Sequence, residues 1–149
     1  MSKTDKFEYD FLRLTFNGVA ITNIAATAGT TGIWIGLHTA DPGDAGSTAN
    51  EGGYAEYTRI KTDRSSGAST GWAVTSGTSA AVASASPLAN LDFPQSLSTS
   101  TGTFLYMSVN PSSNSAGSSA LYTGSISPAI NFAQNVIPRI TTGSSITED

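Results

Sequence analysis

The sequence predicts an all-β protein, an antiparallel β-sandwich of jelly-roll type with one N-terminal α-helix. About eight or nine short apolar or alternating segments recur with turn residues every 8–15 positions, which is typical of sandwiches and barrels. No alternation of strands with helical segments indicates a parallel sheet. At 149 residues the chain is expected to form a single core, with the helix in residues 1–17 and the sandwich in residues 18–149.

The helix is predicted over Thr4–Phe16. Either Ser2 or Thr4 can cap its start, because a hydroxyl oxygen accepts a free backbone N–H of the first turn. Apolar side chains spaced i, i+4 and i+7 form one face of a 3.6-residue repeat, and they are Phe7, Phe11 and Leu14. This face is expected to lie on a sheet or on a neighbouring subunit.

The rest of the chain reads as strands separated by loops. Ile33–Leu37 is apolar on successive residues, as in a strand covered on both faces, whereas Phe104–Val109 alternates. Ala80–Ala85 suits helix or strand equally, because its side chains are small. The other predicted strands are Val19–Ile24, Tyr54–Lys61, Trp72–Val74, Leu91–Phe93, Leu121–Ile126, Ala129–Phe132 and Asn135–Ile140.

Charge is scarce and unevenly distributed. Only 12% of residues are charged, about half the usual share, and between Ser65 and Thr147 only Asp92 and Arg139 carry charge. The 22 serines and 20 threonines supply a neutral polar surface, and 38% hydrophobic residues favour an ordered protein over a disordered one. The net charge of −4 argues against direct nucleic-acid binding.

Other classes of protein are disfavoured as well. There are no cysteines, and no apolar run is long enough to span a membrane, so we expect no membrane partner. The N-terminus lacks the apolar core of a signal peptide, which predicts synthesis in the cytoplasm.

The loop between the strands that begin at Ile33 and Tyr54 is longer than a hairpin needs, which indicates a contact with another molecule. It contains the single histidine, His38, near Asp41 and Ser47, but no glycine-flanked serine supports a catalytic triad. We expect His38 to end a strand and to hydrogen-bond with loop backbone, and we expect no enzyme activity.

Three carboxylates of this loop, on Asp41, Asp44 and Glu51, could ligate calcium, but their spacing differs from that of an EF-hand. The run 41–44, Asp-Pro-Gly-Asp, is better explained as a turn, so we expect no metal and no cofactor. Gly52-Gly53 suggests a bulge or a close backbone approach. Exposed tryptophans, Trp34 or Trp72, would be needed for carbohydrate binding.

Several segments in this order resemble a family of small tailed-bacteriophage virion proteins, described as minor structural, capsid decoration (cement) or fibre-like proteins. The similarity spans most of the chain. It is carried by the N-terminal helix, Ile33–Leu37, Thr39–Asp44, Asn50–Tyr54, Arg59, Trp72, Leu91–Pro94, Phe104–Val109 and Leu121–Gly124.

The resemblance implies a virion protein, and a capsid decoration protein that binds the major capsid protein as a homotrimer is the leading expectation. A tail, neck or fibre-base component is the first alternative, and a host-recognition module that binds carbohydrate is the second. The candidate contact residues are Phe7, Phe11, Leu14, His38, Asp41, Asp44, Glu51 and Tyr54.

Overall fold

The computed structural model describes residues 2–4, 7, 20–21, 24, 32–64, 66–75, 83–113 and 119–148. All strand pairings among them are antiparallel, which confirms the predicted all-β class. The strands are β1 (Ser2–Lys3), β2 (Ile33–His38), β3 (Ile60–Thr62), β4 (Trp72–Thr75), β5 (Ala83–Pro87), β6 (Leu91–Asp92), β7 (Gly102–Asn110), β8 (Tyr122–Phe132), β9 (Arg139–Ile140) and β10 (Ile146–Glu148).

The described strands form three sheets. A five-stranded sheet has the order β1-β8-β7-β2-β3, a three-stranded sheet has the order β10-β5-β4, and β6 pairs with β9. The antiparallel class is therefore confirmed, whereas a two-sheet jelly-roll arrangement is not.

The two faces of the five-stranded sheet differ in chemistry. Ile35 pairs with Val109, and side chains of directly paired residues share one face of the sheet. Both side chains on this face are buried. Gly36 pairs with Ser108 on the opposite face, and His38 pairs with Tyr106 there. We call this second face the polar face, and it carries the buried groups that position the candidate site.

Most predicted strands are present, with shifted ends. β2, β4, β6 and β7 fall where the sequence predicts them, and the ambiguous segment 80–85 overlaps strand β5. The segments 121–126 and 129–132 form one strand, β8. In it Phe104 pairs with Ile130 and Tyr106 with Ser125, so residues 126–129 bulge opposite Leu105 alone.

Two predicted strands are much shorter in the structure. The segment Tyr54–Lys61 is in a strand only from Ile60, because the residues before it turn back over the polar face. The segment Asn135–Ile140 is in a strand only at Arg139–Ile140, since Asn135 has a φ of 64° and interrupts an extended chain. β1 and β10 were not predicted at all.

The predicted N-terminal helix lies outside the described residues except near its start. Thr4 Oγ1 accepts a hydrogen bond of 3.4 Å from the Phe7 backbone N–H, the contact expected of a helix cap. Ser2 instead pairs with Thr123 in strand β1. The Phe7 side chain is buried, and its ring lies edge-on to Tyr122 at 5.2 Å. Phe11 and Leu14 lie outside the described residues, as does most of the predicted strand 19–24.

An aromatic cluster closes one end of the polar face, and Phe132 is tightly enclosed within it. The Phe132 ring lies 4.8 Å from the ring of Phe104 and 5.5 Å from that of Tyr54. Gly53 and Gly102 both approach this ring so closely that a β-carbon on either would collide with it; at Gly102 the separation would be 2.5 Å. The expected close backbone approach at Gly53 is thus present.

We predict that Gly102→Ala destabilises the protein by about 1–3 kcal/mol, because the added methyl group must displace the enclosed Phe132 ring. The matched control is Gly143→Ala, where the nearest atom to the new β-carbon is 3.8 Å away and the expected change is within about 0.5 kcal/mol. Urea unfolding monitored by tryptophan fluorescence measures both. Equal midpoints for the two variants would contradict the enclosure of Phe132.

Candidate interaction surface

The candidate site is built on the chain between β2 and β3, residues 39–59, which we call the contact loop. β3 pairs only with the first half of β2, from Ile33 to Ile35, and so leaves the second half of that edge open. The loop itself covers this edge: Gly52 N–H donates to Leu37 O at 2.9 Å, and Thr39 N–H donates to Asn50 O at 3.0 Å. The loop is therefore hydrogen-bonded to the sheet.

The tip of the contact loop is held by a set of short-range hydrogen bonds. Asp41 Oδ1 accepts from Gly43 N–H at 2.8 Å, which forms an Asx turn. Ser47 N–H donates to Pro42 O at 2.9 Å, and Gly43 has a φ of 64° that glycine adopts without strain. The turn predicted at residues 41–44 is present only in part: the Asp41 side chain forms an Asx turn with Gly43, and the backbone turn follows at residues 43–46, where Gly46 N–H donates to Gly43 O at 3.0 Å.

One side of this tip packs on the protein, and the other side faces solvent. Pro42 and Gly46 are buried, and a β-carbon on Gly46 would lie 2.8 Å from Ala120 N. The side chains of Asp41 and Asp44 are exposed. The tip thus exposes two carboxylates to solvent, and the opposite side of its backbone packs against the rest of the protein.

A buried ion pair lies beneath the contact loop. Arg59 donates from Nε to Glu51 Oε1 at 2.6 Å and from Nη2 to Oε2 at 2.7 Å, a bidentate arrangement. The side chains of Arg59 and Glu51 are only 2% and 6% exposed. Arg59 Nη1 also donates to Ser112 O at 2.9 Å. The pair therefore connects residues 51 and 59 of the contact loop, and Arg59 also connects the loop to the segment after β7.

Tyr57 connects this ion pair to the edge of the sheet. Its hydroxyl accepts a 2.7 Å hydrogen bond from Leu37 N–H and donates to Glu51 Oε1 at 3.3 Å. Its ring stacks on Phe93 at 6.0 Å. Burial, and then the nearby Glu51 carboxylate, raise the pKa of the Tyr57 hydroxyl, which keeps it protonated and able to donate.

The strand beneath the ion pair accommodates it because residue 36 is glycine. A β-carbon on Gly36 would lie 2.8 Å from both Glu51 Oε1 and Ser108 Oγ. Ser108 Oγ lies 2.7 Å from His38 Nε2 and accepts from Asn110 Nδ2 at 2.9 Å. We call the set of these side chains the buried polar cluster; its members are His38, Glu51, Tyr57, Arg59, Ser108 and Asn110.

The predicted contact residues that the structure describes fall into two environments. Asp41 and Asp44 are exposed, whereas the side chains of Phe7, His38, Glu51 and Tyr54 are buried within the chain. Phe11 and Leu14 lie outside the described residues. Contact with a partner stays a prediction for all eight; among the six that the structure describes, Asp41 and Asp44 at the loop tip have exposed side chains.

His38 ends strand β2 as predicted, but its ring contacts a side chain of the sheet rather than loop backbone. It is 1% exposed and bonded to Ser108, while the Ser47 hydroxyl accepts from Ala49 N–H elsewhere in the loop. The sequence did not identify Ser108 or Asn110 as partners. The sequence feature that could have indicated them was Gly36, because a glycine within an otherwise apolar strand leaves room for a neighbouring side chain.

The two tryptophans considered for carbohydrate binding are buried or half-buried. Trp72 is buried, and its Nε1 donates to Thr62 Oγ1 at 3.0 Å, so it offers no stacking surface to a sugar; Trp34 is half-buried. In the described part of the chain, no group of three or more His, Cys, Asp or Glu side chains could hold a metal ion. No helix among the described residues is long and apolar enough to cross a membrane.

Comparison with known protein families identifies a match. Residues 2–147 match a family described as podophage GP4 fiber I protein gp80, so the match covers nearly the whole chain. No curated protein matches the sequence.

We predict that Glu51→Gln destabilises the protein by about 3 kcal/mol or more, because the Arg59 guanidinium loses its carboxylate while remaining buried. Asp92→Asn is the matched control, since it removes a carboxylate from the exposed pair of Asp92 and Arg139. There the Arg139 guanidinium holds the pKa of the Asp92 carboxyl below its usual value, but both groups are solvated.

Chemical denaturation at pH 7 measures both variants. Asp92→Asn should leave the unfolding midpoint unchanged within error. If Glu51→Gln also left the unfolding midpoint unchanged, the ion pair would not be what stabilises the contact loop.

Proposed function

The chain belongs to the podophage GP4 fiber I protein gp80 family, and on that basis we propose that it is a fibre-associated structural component of the virion. It is a structural protein of a bacteriophage particle. We propose further that it contacts a neighbouring virion subunit through the exposed tip of the contact loop. The observation that supports this surface is the combination of an exposed acidic tip and a buried ion pair beneath it.

A loop that is ordered before binding lowers the entropic cost of association. Each flexible side chain or loop residue that becomes fixed on docking opposes binding, and a pre-formed loop avoids part of that cost. The contact loop is fixed at its base by the Glu51–Arg59 pair and at its tip by the Asp41 turn. The contact loop can therefore bind a partner in the conformation that it already has in the free protein.

The chemistry of the tip suggests the chemistry of the partner. Asp41 and Asp44 are exposed carboxylates in a chain of which only 12% of the residues are charged. A partner surface with arginine or lysine side chains, or with free backbone N–H groups, would complement them. We propose a protein partner of this kind, and neither nucleic acid nor a lipid surface.

Two further parts of the proposal concern assembly and chemistry. We propose that copies of the chain associate with closed cyclic symmetry, with a homotrimer as the expected form. We also propose that the role is structural and involves no catalytic step. This is supported by the burial of His38, whose Nε2 is already bonded to Ser108.

The alternative position on the same particle is that of a cement protein on the major capsid protein. The neutral, serine- and threonine-rich surface of the chain would suit a densely covered shell as well as a fibre. The family description favours the fibre, so cement is the second candidate. The two positions differ in copy number.

We predict a low copy number per particle, on the order of six or twelve, because tail and fibre components follow the symmetry of the tail. Quantitative mass spectrometry of purified virions, with another structural protein as the internal standard, measures the number. Hundreds of copies would instead place the protein on the capsid shell.

We predict that the double variant Asp41→Asn, Asp44→Asn is incorporated several-fold less into virions. Asparagine retains the side-chain oxygen that accepts from Gly43 N–H, so the charge is removed while the turn is kept. Asp92→Asn is the control, because it removes an exposed carboxylate from the β6–β9 sheet. Equal incorporation of the two variants would exclude the acidic tip as the contact surface.

A further inference from the structure

The position of His38 links the buried polar cluster to the base of the contact loop. His38 is the last residue of β2, and it pairs through a backbone bridge with Glu51, whose carboxylate binds Arg59. Its ring is 1% exposed, and Nε2 lies 2.7 Å from Ser108 Oγ. Nδ1 is buried and has no hydrogen-bond partner among the described residues.

The charges of the buried polar cluster cancel only while the His38 imidazole is neutral. Glu51 contributes one negative charge and Arg59 one positive charge, and they bind each other in bidentate geometry. A protonated imidazole would add a second positive charge with no second carboxylate to match it. Both ring nitrogens of an imidazolium are donors, and Nδ1 has no acceptor among the described residues, which is costly in a buried site.

The other groups around the ring do not supply the missing negative charge. From β7 come the Ser108 hydroxyl and Tyr106, which is the cross-strand partner of His38. From the loop comes Tyr57, whose hydroxyl donates to Glu51, and β8 contributes Thr123 beside Ser108. Lys61 of β3 is exposed and carries a positive charge. Among the described residues, Glu51 is thus the one carboxylate of the cluster.

We propose that the buried polar cluster is an acid-sensitive latch: protonation of His38 releases the contact loop from β2 while the rest of the five-stranded sheet stays folded. Release exposes both ring nitrogens to water and moves the imidazolium away from Arg59. The loop is joined to β2 by few hydrogen bonds, from Gly52 N–H and to the Tyr57 hydroxyl, whereas β2 pairs with β7 over five residues. Local opening therefore disrupts less structure than global unfolding does.

The direction of the pH dependence follows from the burial of the ring. Burial lowers the pKa of His38 below its ordinary value of 6.5; the nearby Glu51 carboxylate opposes this shift and Arg59 adds to it. In the released state the imidazole is hydrated and titrates near the ordinary value. The latch is therefore fully closed above about pH 6.5 and is weakened as the pH falls below it, down to the lowered pKa of the closed state.

Amide hydrogen exchange at pH 7.5 and pH 5.5, corrected for the intrinsic pH dependence of exchange, tests the latch. Protection of the amides of Leu37 and Gly52, which bond across between β2 and the loop, should fall about tenfold between these conditions, as expected if only the released state binds a proton at His38. The amides of Phe93 and Asn135, which bond to the β6–β9 segment, should keep their protection.

His38→Gln is the variant that separates protonation from other acid effects. A glutamine at this position can still bond to Ser108 but cannot acquire charge, so its loop protection should not change between the two conditions. A variant that lost protection as the wild type does would overturn the proposal. An equal loss at Phe93 and Asn135 in the wild type would also overturn it, because that pattern indicates global unfolding.

A second measurement uses the wild-type protein alone. His38 is the only histidine, so its ring Cε1–H resonance in NMR spectra is unambiguous. The latch requires that the ring titrate below 6.5 in the closed state. Ordinary titration near 6.5 with an intact loop would contradict the proposal. Neither measurement depends on whether the loop contacts a partner, so failure of the latch and failure of the proposed function are distinguishable.

Discussion

The buried ion pair between Glu51 and Arg59 is the constraint on which the contact loop depends. Both side chains are almost completely removed from water, and a charge in that position is tolerated only when its partner is present with good geometry. Satisfying the pair fixes several other features. Residue 36 must lack a β-carbon, the Tyr57 hydroxyl must face Glu51, and the Ser112 carbonyl must approach Arg59.

This arrangement gives a long loop the properties of an ordered element. A loop of this length would ordinarily vary in conformation, because its backbone groups can bond to water as readily as to protein. Here the loop completes the edge of the sheet that β3 leaves unpaired, and its aromatic residues close the core at one end. The charged groups of Glu51 and Arg59 are buried, whereas the side chains of Asp41 and Asp44 at the tip are exposed to solvent.

Patterns local in sequence predicted much of the fold. The antiparallel all-β class and strands β2, β4, β6 and β7 follow from alternation, apolar runs and turn residues. The segment Tyr54–Lys61 also alternates, yet most of it is not in a strand, because partly buried Tyr57 bonds to β2 and buried Arg59 bonds to the segment after β7. β1 and β10 are two- and three-residue strands, too short to produce a periodic pattern, and no proline follows them as Pro94 follows the equally short β6.

The sequence by itself determined the fold class, the neutral polar surface, a turn that begins at Asp41 and the likeness to tailed-phage virion proteins. These properties depend on composition or on residues close together in the chain. Only the tertiary structure decided which residues of the loop are available for contact. Glu51, His38 and Tyr54 were candidates beside Asp41 and Asp44, but Glu51 pairs with Arg59 at the end of the same loop, and His38 and Tyr54 contact Ser108 of β7 and Phe132 of β8. Burial depends on such distant partners, and a single sequence carries no direct record of them.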